Sequence, residues 1–353
     1  MKSILIIVPA ESTLTGGLKV DFYLFEQLRK SNKLCVDFMI DEKLNCTNKM
    51  WIFYNAVRYF GKIFRFRKFD YILINSRLYP NFTVIPMIRL FCNKTQVVTI
   101  HHHFNFLTQN GMLRIAHKAL ELFFIRMCNQ IIIVSPYVKD LISQMHFLGR
   151  KKINYIEIAF DHTKVHQASK AATNDFLFVG TVEQRKGVDA IIEAVFLLKQ
   201  ENIPVNVNII GNILHDSYYQ ALINKINEYK LSQQIRLLGR VSDDELQSCY
   251  SSSRAFLFPS RHEGYGMVLI EAMSYGLPVI AFNNSAIPYF VKNGANGLLV
   301  KNNDVEDLSE KMKLLWTDNT LRGQLSIRAL EYFDKTRTYD DWNQDIDNFI
   351  NQL

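Results

Sequence analysis

Two short loops concentrate the residue types that do chemistry. Residues 259–273 read PSRHEGYGMVLIEAM. A strand ends at Pro259, a loop with Gly264 and Gly266 follows, and an apolar helix begins near Met267. The glycines let the backbone turn sharply and come close to a ligand. The new helix offers unpaired N–H groups and a positive dipole end, which suit a phosphate or a sugar oxygen. Glu271 is expected in the first turn of that helix, where a carboxylate can accept hydrogen bonds from vicinal hydroxyls such as those of a ribose. Glu263, in the loop, reaches a second set of hydroxyls. Taken singly, either glutamate is as well explained by helix-dipole complementation or a tight loop. Together they point to a ligand rich in both hydroxyls and phosphate. The second loop, residues 178–187 (FVGTVEQRKG), sets Arg185 and Lys186 just before Gly187 and a further helix. Paired cations at the carboxyl end of a strand are placed to hold a diphosphate leaving group.

Weaker signals lie elsewhere. Gly16 and Gly17 start a helix directly after the first strand, but without the G-x-G-x-x-G spacing of a dinucleotide site or the Gly-Lys-Ser/Thr of a P-loop. A ligand turn and a plain helix start fit equally well. His101, His102 and His103 close a strand. Successive residues of a strand alternate in direction, which argues against a metal cage. A single histidine at that carboxyl end, His101, is as readily functional as structural. Asp345 and Asp347 fall on different sides of a helix and read as solvated surface, and Asp243 and Asp244 as helix-start acids.

These loops need a scaffold, and the chain alternates apolar runs with amphipathic stretches throughout. Strands are expected at 4–9, 35–40, 71–75, 96–100 and 130–135, with helices such as 17–30, 81–91 and 112–128 between them. After a polar stretch at 162–174, taken as a linker, strands recur at 175–179, 205–210, 235–238, 255–259, 278–282 and 297–300. Helices are expected at 188–201, 217–229, 243–251, 267–275, 287–292 and 305–317. This is the grammar of parallel α/β sheets. Residues 321–353 read as helical throughout, with Trp342, Ile346, Phe349, Ile350 and Leu353 on one stripe.

Length supports two domains, since 353 residues exceed a single core. The five cysteines are scattered and odd in number, which argues against a disulfide or zinc framework and for a reducing compartment. No run reaches the ~18 apolar residues of a spanning helix. Charge is uneven. Residues 1–172 hold 24 Lys+Arg and 11 Asp+Glu, a balance of +13; residues 173–353 hold 17 and 23, a balance of −6; the sum is the +7 of the chain. The first half therefore faces something anionic. Residues 49–69 carry six cations before the lone acid Asp70. As one helix, they would set Phe53, Val57, Phe60 and Phe64 opposite Arg58, Lys62 and Arg65. Such a helix fits an anionic membrane surface, or a core contact with a basic exterior. No nucleic-acid-binding module is recognisable.

Glu263 and Glu271 with the intervening GYGMVLI, the runs 276–280 (GLPVI) and 293–299 (NGANGLL), and Gly16-Gly17 resemble the retaining family 4 glycosyltransferases of the GT-B fold. Residues 238–246 (LGRVSDDEL) resemble the family's stretch near the nucleotide base. The resemblance implies an α/β chain of two facing Rossmann-like domains, residues 1–163 and 173–331. The last helix, within about 332–353, would cross back to the N-terminal domain. It implies that Glu271 binds the ribose, Glu263 the donor sugar, and Arg185 and Lys186 the diphosphate. The backbone at Gly264, Tyr265, Gly266, Met267 and Val268 lies nearby, His101 touches the sugar, and Gly16, Gly17, Gly211, Arg240 and Val241 complete the donor site. Thr181 stands where the family often has an arginine, a role Arg185 can take. Ile158-Ala159 and Tyr289 depart from the usual Asn-Gly and glutamate.

The expected function is retaining hexosyl transfer from a nucleotide-diphospho-sugar to a glycan or lipid-linked acceptor, with no cofactor and no metal. The context expected is bacterial capsule or O-antigen assembly, in the cytoplasm at the inner face of the membrane. A nucleotide-sugar epimerase on the same fold and a non-catalytic sugar-nucleotide-binding protein are the competing readings.

Overall fold

The computed structural model describes residues 1–8, 16–40, 49–76, 84–145, 151–164 and 174–353. The chain forms two units, Met1–Phe160 with Arg337–Leu353, and Asp161–Thr336. Most of the expected linker (165–173), Pro9 and residues 13–15 before the Gly16-Gly17 turn lie outside the described residues, as does the side chain of Phe53.

The first unit runs β1 (Lys2–Val8), α1 (Gly16–Lys30), β2 (Leu34–Ile40), α2 (Lys49–Phe60), α3 (Ile63–Phe66), β3 (Tyr71–Asn75), α4 (Val84–Phe91), β4 (Gln96–His101), α5 (Gly111–Met127), β5 (Gln130–Ile133), α6 (Pro136–Ser143) and β6 (Lys152–Tyr155). All six strands are parallel, in the order β2-β1-β3-β4-β5-β6. Strands covered on both faces need continuous apolar runs, and β1 buries Ile4, Leu5, Ile6, Ile7 and Val8 in succession. The order reverses between β1 and β3. Right-handed crossovers then put α1 on one face and α2 to α6 on the other. One core accordingly joins Leu5, Ile72, Val97 and Ile131 of the sheet to Tyr59, Ile88, Phe124 and Val138 of those helices.

Three expectations change here. The sixth strand, KINY, was not expected; four residues of mixed polarity carry no readable period. The helix expected over 49–69 stops at Phe60, where Gly61 and Lys62 form a turn. Its core contacts are Asn55, Tyr59, Ile63 and Phe66, while Val57, Phe60 and Phe64 face solvent. The core-contact reading of that stripe is therefore overturned.

The second unit runs β7 (Asn174–Val179), α7 (Val188–Gln200), β8 (Val207–Ile210), α8 (Asp216–Glu228), β9 (Ile235–Gly239), α9 (Asp243–Ser252), β10 (Ser253–Phe258), α10 (Met267–Ser274), β11 (Val279–Phe282), α11 (Ile287–Phe290), β12 (Gly297–Val300), α12 (Val305–Thr317) and α13 (Asn319–Phe333). Its sheet is parallel, ordered β12-β11-β10-β7-β8-β9. The switch point lies between β7 and β10, where open α/β sheets bind ligands at their carboxyl ends.

The C-terminal stretch is two helices, not one. After α13 a turn leads into α14 (Tyr339–Gln352), started by a capping box in which Thr338 and Asp341 satisfy each other's backbone N–H. Trp342, Ile346, Phe349 and Ile350 are buried. The α14 helix belongs to the first unit, where Trp342 stacks on Tyr23 at 4.2 Å and Tyr23 donates to Asn343 at 3.0 Å.

Candidate active site

The carboxyl ends of β7 and β10 bring the two chemical loops together. Past β7, a 3-10 turn, Gln184–Lys186, ends at Gly187, which has φ +73°. A Cβ at Gly187 would stand 2.0 Å from the Pro259 carbonyl oxygen. Only glycine lets the loops after β7 and β10 touch, and the contact is sealed where Arg261 N donates to Arg185 O at 2.8 Å. Gly211, at the end of β8, leaves no room for a Cβ either, which would meet the Gly180 oxygen at 1.7 Å.

Glu263 is the centre of this arrangement. It is buried, and its Oε1 accepts from Lys186 Nζ, from Arg185 Nη1 at 3.2 Å and from Ser260 Oγ at 2.7 Å. Ser285 Oγ accepts from Glu263 N at 2.8 Å and fixes the loop from the β11 side. Arg185 also donates to Glu183 Oε1 at 2.6 Å and to the His262 carbonyl at 2.8 Å. Burial alone would raise the Glu263 carboxyl; the charges of Lys186 and Arg185 outweigh it and hold the group at about 2. His262 is pushed down to about 4, first by burial, and Arg185 and Lys186 add to the shift. The cluster is thus an ionised carboxylate held between two cations.

Glu271 corrects an expectation. The α10 helix starts at Met267, so Glu271 lies in its second turn. It is half-buried, with Tyr250 Oη 3.5 Å from its Oε2. Burial, then the Glu271 charge, raises the Tyr250 hydroxyl well above its usual value. Gly266 is the N-cap of α10, and no side chain caps the amides that follow at Met267 and Val268. Gly264 is half-buried, and Tyr265 is buried against Phe290 at 4.5 Å. Exposed Arg240 and half-buried Val241 follow β9, at the far edge of the sheet from β11.

In the first unit, Gly16 and Gly17 open α1. His101 corrects a second expectation. Side chains alternate along a strand, so His101 shares the core face of Val97 and packs on Phe104 at 4.3 Å. It is fully buried, and neither ring nitrogen has a hydrogen-bond partner. Burial, with a smaller push from His102, lowers it to about 3 and keeps it neutral. His102 points the other way: its Nε2–H donates to Asp21 Oδ1 at 2.7 Å, and Asp21 Oδ2 accepts from Asn75 Nδ2. Asp21 and Asn75 are buried where β1, β3 and α1 meet, at the reversal in strand order of that sheet.

Sequence reasoning chose His101 over His102 and missed Glu183, Ser260, Ser285, Tyr250 and Asp21. Ser260, three residues before Glu263, was the readable one. Among the described residues, no three His, Cys, Asp or Glu side chains group to hold a metal.

Residues 160–332 match the family Glycosyl transferases group 1, and residues 40–164 match Glycosyltransferase Family 4. The chain belongs to the family 4 glycosyltransferases. Its relatives include an uncharacterized glycosyltransferase, MJ1178, of Methanocaldococcus jannaschii, 33% identical over 207 residues, 59% of this chain and 55% of that protein. The O-antigen chain mannosyltransferase B of Escherichia coli is 32% identical over 157 residues, 44% of this chain and 40% of that protein. The chain thus spans about half the length of these curated relatives. Among solved structures, sucrose-phosphate synthase of Thermosynechococcus elongatus superposes with a TM-score of 0.80 at 17% identity, covering 100% of this chain and 99% of that one. The fold of the chain is GT-B.

Proposed function

We propose that this chain transfers a hexosyl group, with retention at the anomeric carbon and without a metal, from a nucleotide-diphospho-sugar to a hydroxyl of a glycan or lipid-linked acceptor. The context proposed is bacterial surface-polysaccharide assembly, at the cytoplasmic face of the membrane. The observation that carries the reading is the Arg185–Lys186–Glu263 cluster at the switch point, beside the uncapped start of α10. Two cations and free helix amides suit a departing diphosphate. Glu263 keeps the cations fixed before the donor arrives, so little reorganisation is needed when the C1–O bond to the diphosphate breaks. Its other oxygen, and the Glu271 carboxylate, accept hydrogen bonds from sugar and ribose hydroxyls. The acceptor oxygen bonds to C1 on the face the diphosphate leaves, and its hydroxyl proton passes to the departing diphosphate oxygen. In the first unit, His102, held by Asp21 and Asn75, takes the polar role that the family pattern would give His101.

The O-antigen relative supports the polysaccharide context, and the family membership supports donor chemistry. The test is turnover of a donor panel (UDP-glucose, UDP-galactose, UDP-N-acetylglucosamine, GDP-mannose) with EDTA present, beside Glu271→Ala. Turnover of one donor that persists in EDTA, and that the variant loses at donor concentrations well below its raised KM, supports the proposal. Folded protein that turns over none of them sinks it.

A further inference from the structure

The outer side of the α2–α5 layer is apolar where a free surface should be polar. Phe64 is 77% exposed, Leu90 74%, Met112 88% and Ile115 71%. Val57 and Phe60 are exposed beside them, and Phe60 meets Phe91 edge-on at 5.4 Å, so the surface of α2 continues onto α4.

The α5 helix shows that this is a built face. Glu121, Phe124 and Ile125 are buried and define its core side. At 100° per residue, Met112, Ile115, Ala116, Ala119 and Phe123 project on the opposite side. All five are exposed. A helix of a soluble domain carries polar residues opposite its core stripe; this one carries a second apolar stripe. No described element covers it.

Charge selects the occupant. Residues 49–128 contain twelve Lys+Arg and two Asp+Glu. Of the two acids, Glu121 is buried and bonded to Asn105 and Phe106, and Asp70 accepts from Ser3. Arg67, Lys68, Arg89, Arg114 and Lys118 are exposed around the apolar crests. A second copy of the same face would set cations against cations. A sheet of lipid phosphates over acyl chains complements both features at once. Among the described residues, no helix is long and apolar enough to cross a membrane, so the fit is to the interfacial plane.

We propose that the α2–α5 face docks on an anionic lipid bilayer. The crests of α2, α3, α4 and α5 enter the headgroup–acyl boundary, and the surrounding cations contact lipid phosphates. This deepens the membrane-linked part of the function proposed above by naming the face and the lipid chemistry.

The test uses the full chain with vesicles of phosphatidylcholine alone or with added phosphatidylglycerol, read by co-sedimentation. The protein should sediment with the anionic vesicles and not with the neutral ones. Met112→Gln with Ile115→Gln, and separately Phe64→Gln, should weaken that binding about tenfold or more. All these residues are exposed, so melting temperature and donor hydrolysis in vesicle-free solution should be unchanged. Failure to bind anionic vesicles, or binding undiminished in the variants, overturns the proposal. So does self-association of the wild type that the same variants abolish. Donor hydrolysis by the wild type is read separately, so a failed vesicle test leaves the transferase reading standing.

Discussion

Lys186 and Glu263 are ion-paired beneath the surface of the second unit, their side chains 13% and 9% exposed, with Arg185 and Ser260 on the same carboxylate oxygen. Removing one partner of a buried pair leaves the other charge uncompensated, which costs about 3–5 kcal/mol. Arg185 keeps Glu183 as a second partner, so Glu263→Gln should fall at the lower end. Calorimetry should show a melting temperature lowered by several degrees. Lys186→Ala removes a charge aimed at the leaving diphosphate and should reduce kcat about a hundredfold, near 3 kcal/mol. A variant with wild-type kcat would remove Lys186 from leaving-group chemistry.

Glu271 is set apart from that cluster by its place one turn into α10 and by its contact with Tyr250. A carboxylate that binds ribose hydroxyls acts equally in ground and transition states. Glu271→Ala should therefore raise donor KM with kcat nearly kept. Hydrogen bonds to a charged group are worth about 1.5–3 kcal/mol, or roughly ten- to a hundredfold in affinity. Steady-state kinetics separates the two parameters, and a fall confined to kcat would place Glu271 at the reacting centre instead.

The second sheet was legible because strands buried on both faces must be apolar runs: all six expected segments are strands. Arg185, Lys186 and Glu263 were legible for the same reason, since loops at the carboxyl ends of such strands converge. What failed was local. Gly61 splits the helix expected over 49–69 in two, and Val57, Phe60 and Phe64 face outward instead of meeting the core. The capping residues Thr338 and Asp341 were present in the sequence, but the helical periodicity on either side hid the break. His101 was assigned by its position at a strand end, while alternation along β4 decides which way it faces. The partners Ser285 and Glu183 come from loops with no signal of their own.

Gly187 holds the two site loops together through its φ of +73° and the absence of a side chain against Pro259. Gly187→Ala puts a Cβ 2.0 Å from a carbonyl oxygen, so backbone must move. Such a strained position costs of order 1–3 kcal/mol before the clash is counted. Thermal unfolding should fall by at least about 4 °C. Donor KM should rise as well, because Arg185 and Lys186 precede the displaced residue. A variant with unchanged melting temperature would mean that the loops separate freely.

His101 and His102 make opposite predictions for neighbouring positions. His101 is an apolar-packed ring, and His102 is held by Asp21 at 2.7 Å. His101→Leu should keep turnover within about threefold, because volume-conserving core changes are tolerated. His102→Ala should reduce it about a hundredfold or more, the range for a positioned acid–base side chain. Asp21→Asn should give an intermediate loss, since the amide still bonds the ring but supplies no charge. The reverse order in the two histidines would restore the family assignment to His101.

The buried titratable groups of the first unit set its pH dependence in two directions. In the unfolded chain His101 takes a proton below about 6.5; in the folded unit burial delays that to about 3. Between those values the unfolded state binds more protons, so stability falls as pH falls through the window, by at most about 1.4 kcal/mol per pH unit. Glu121 acts oppositely. Burial raises it from 4.5 to about 7, against the hydrogen bonds from Asn105 and Phe106 that favour the charge. There the folded state binds the extra proton, and its contribution is lost as pH rises from about 4.5 to 7. Denaturant unfolding followed across pH 3–8 should show both slopes. His101→Leu should make the acid limb shallower without removing it, since the lowered Glu263 and Asp70 carboxyls add to that slope, and Glu121→Gln, which keeps an acceptor for the Asn105 and Phe106 amides, should flatten the limb toward neutrality. Profiles unchanged by either variant would mean that these side chains open to water below the global unfolding transition.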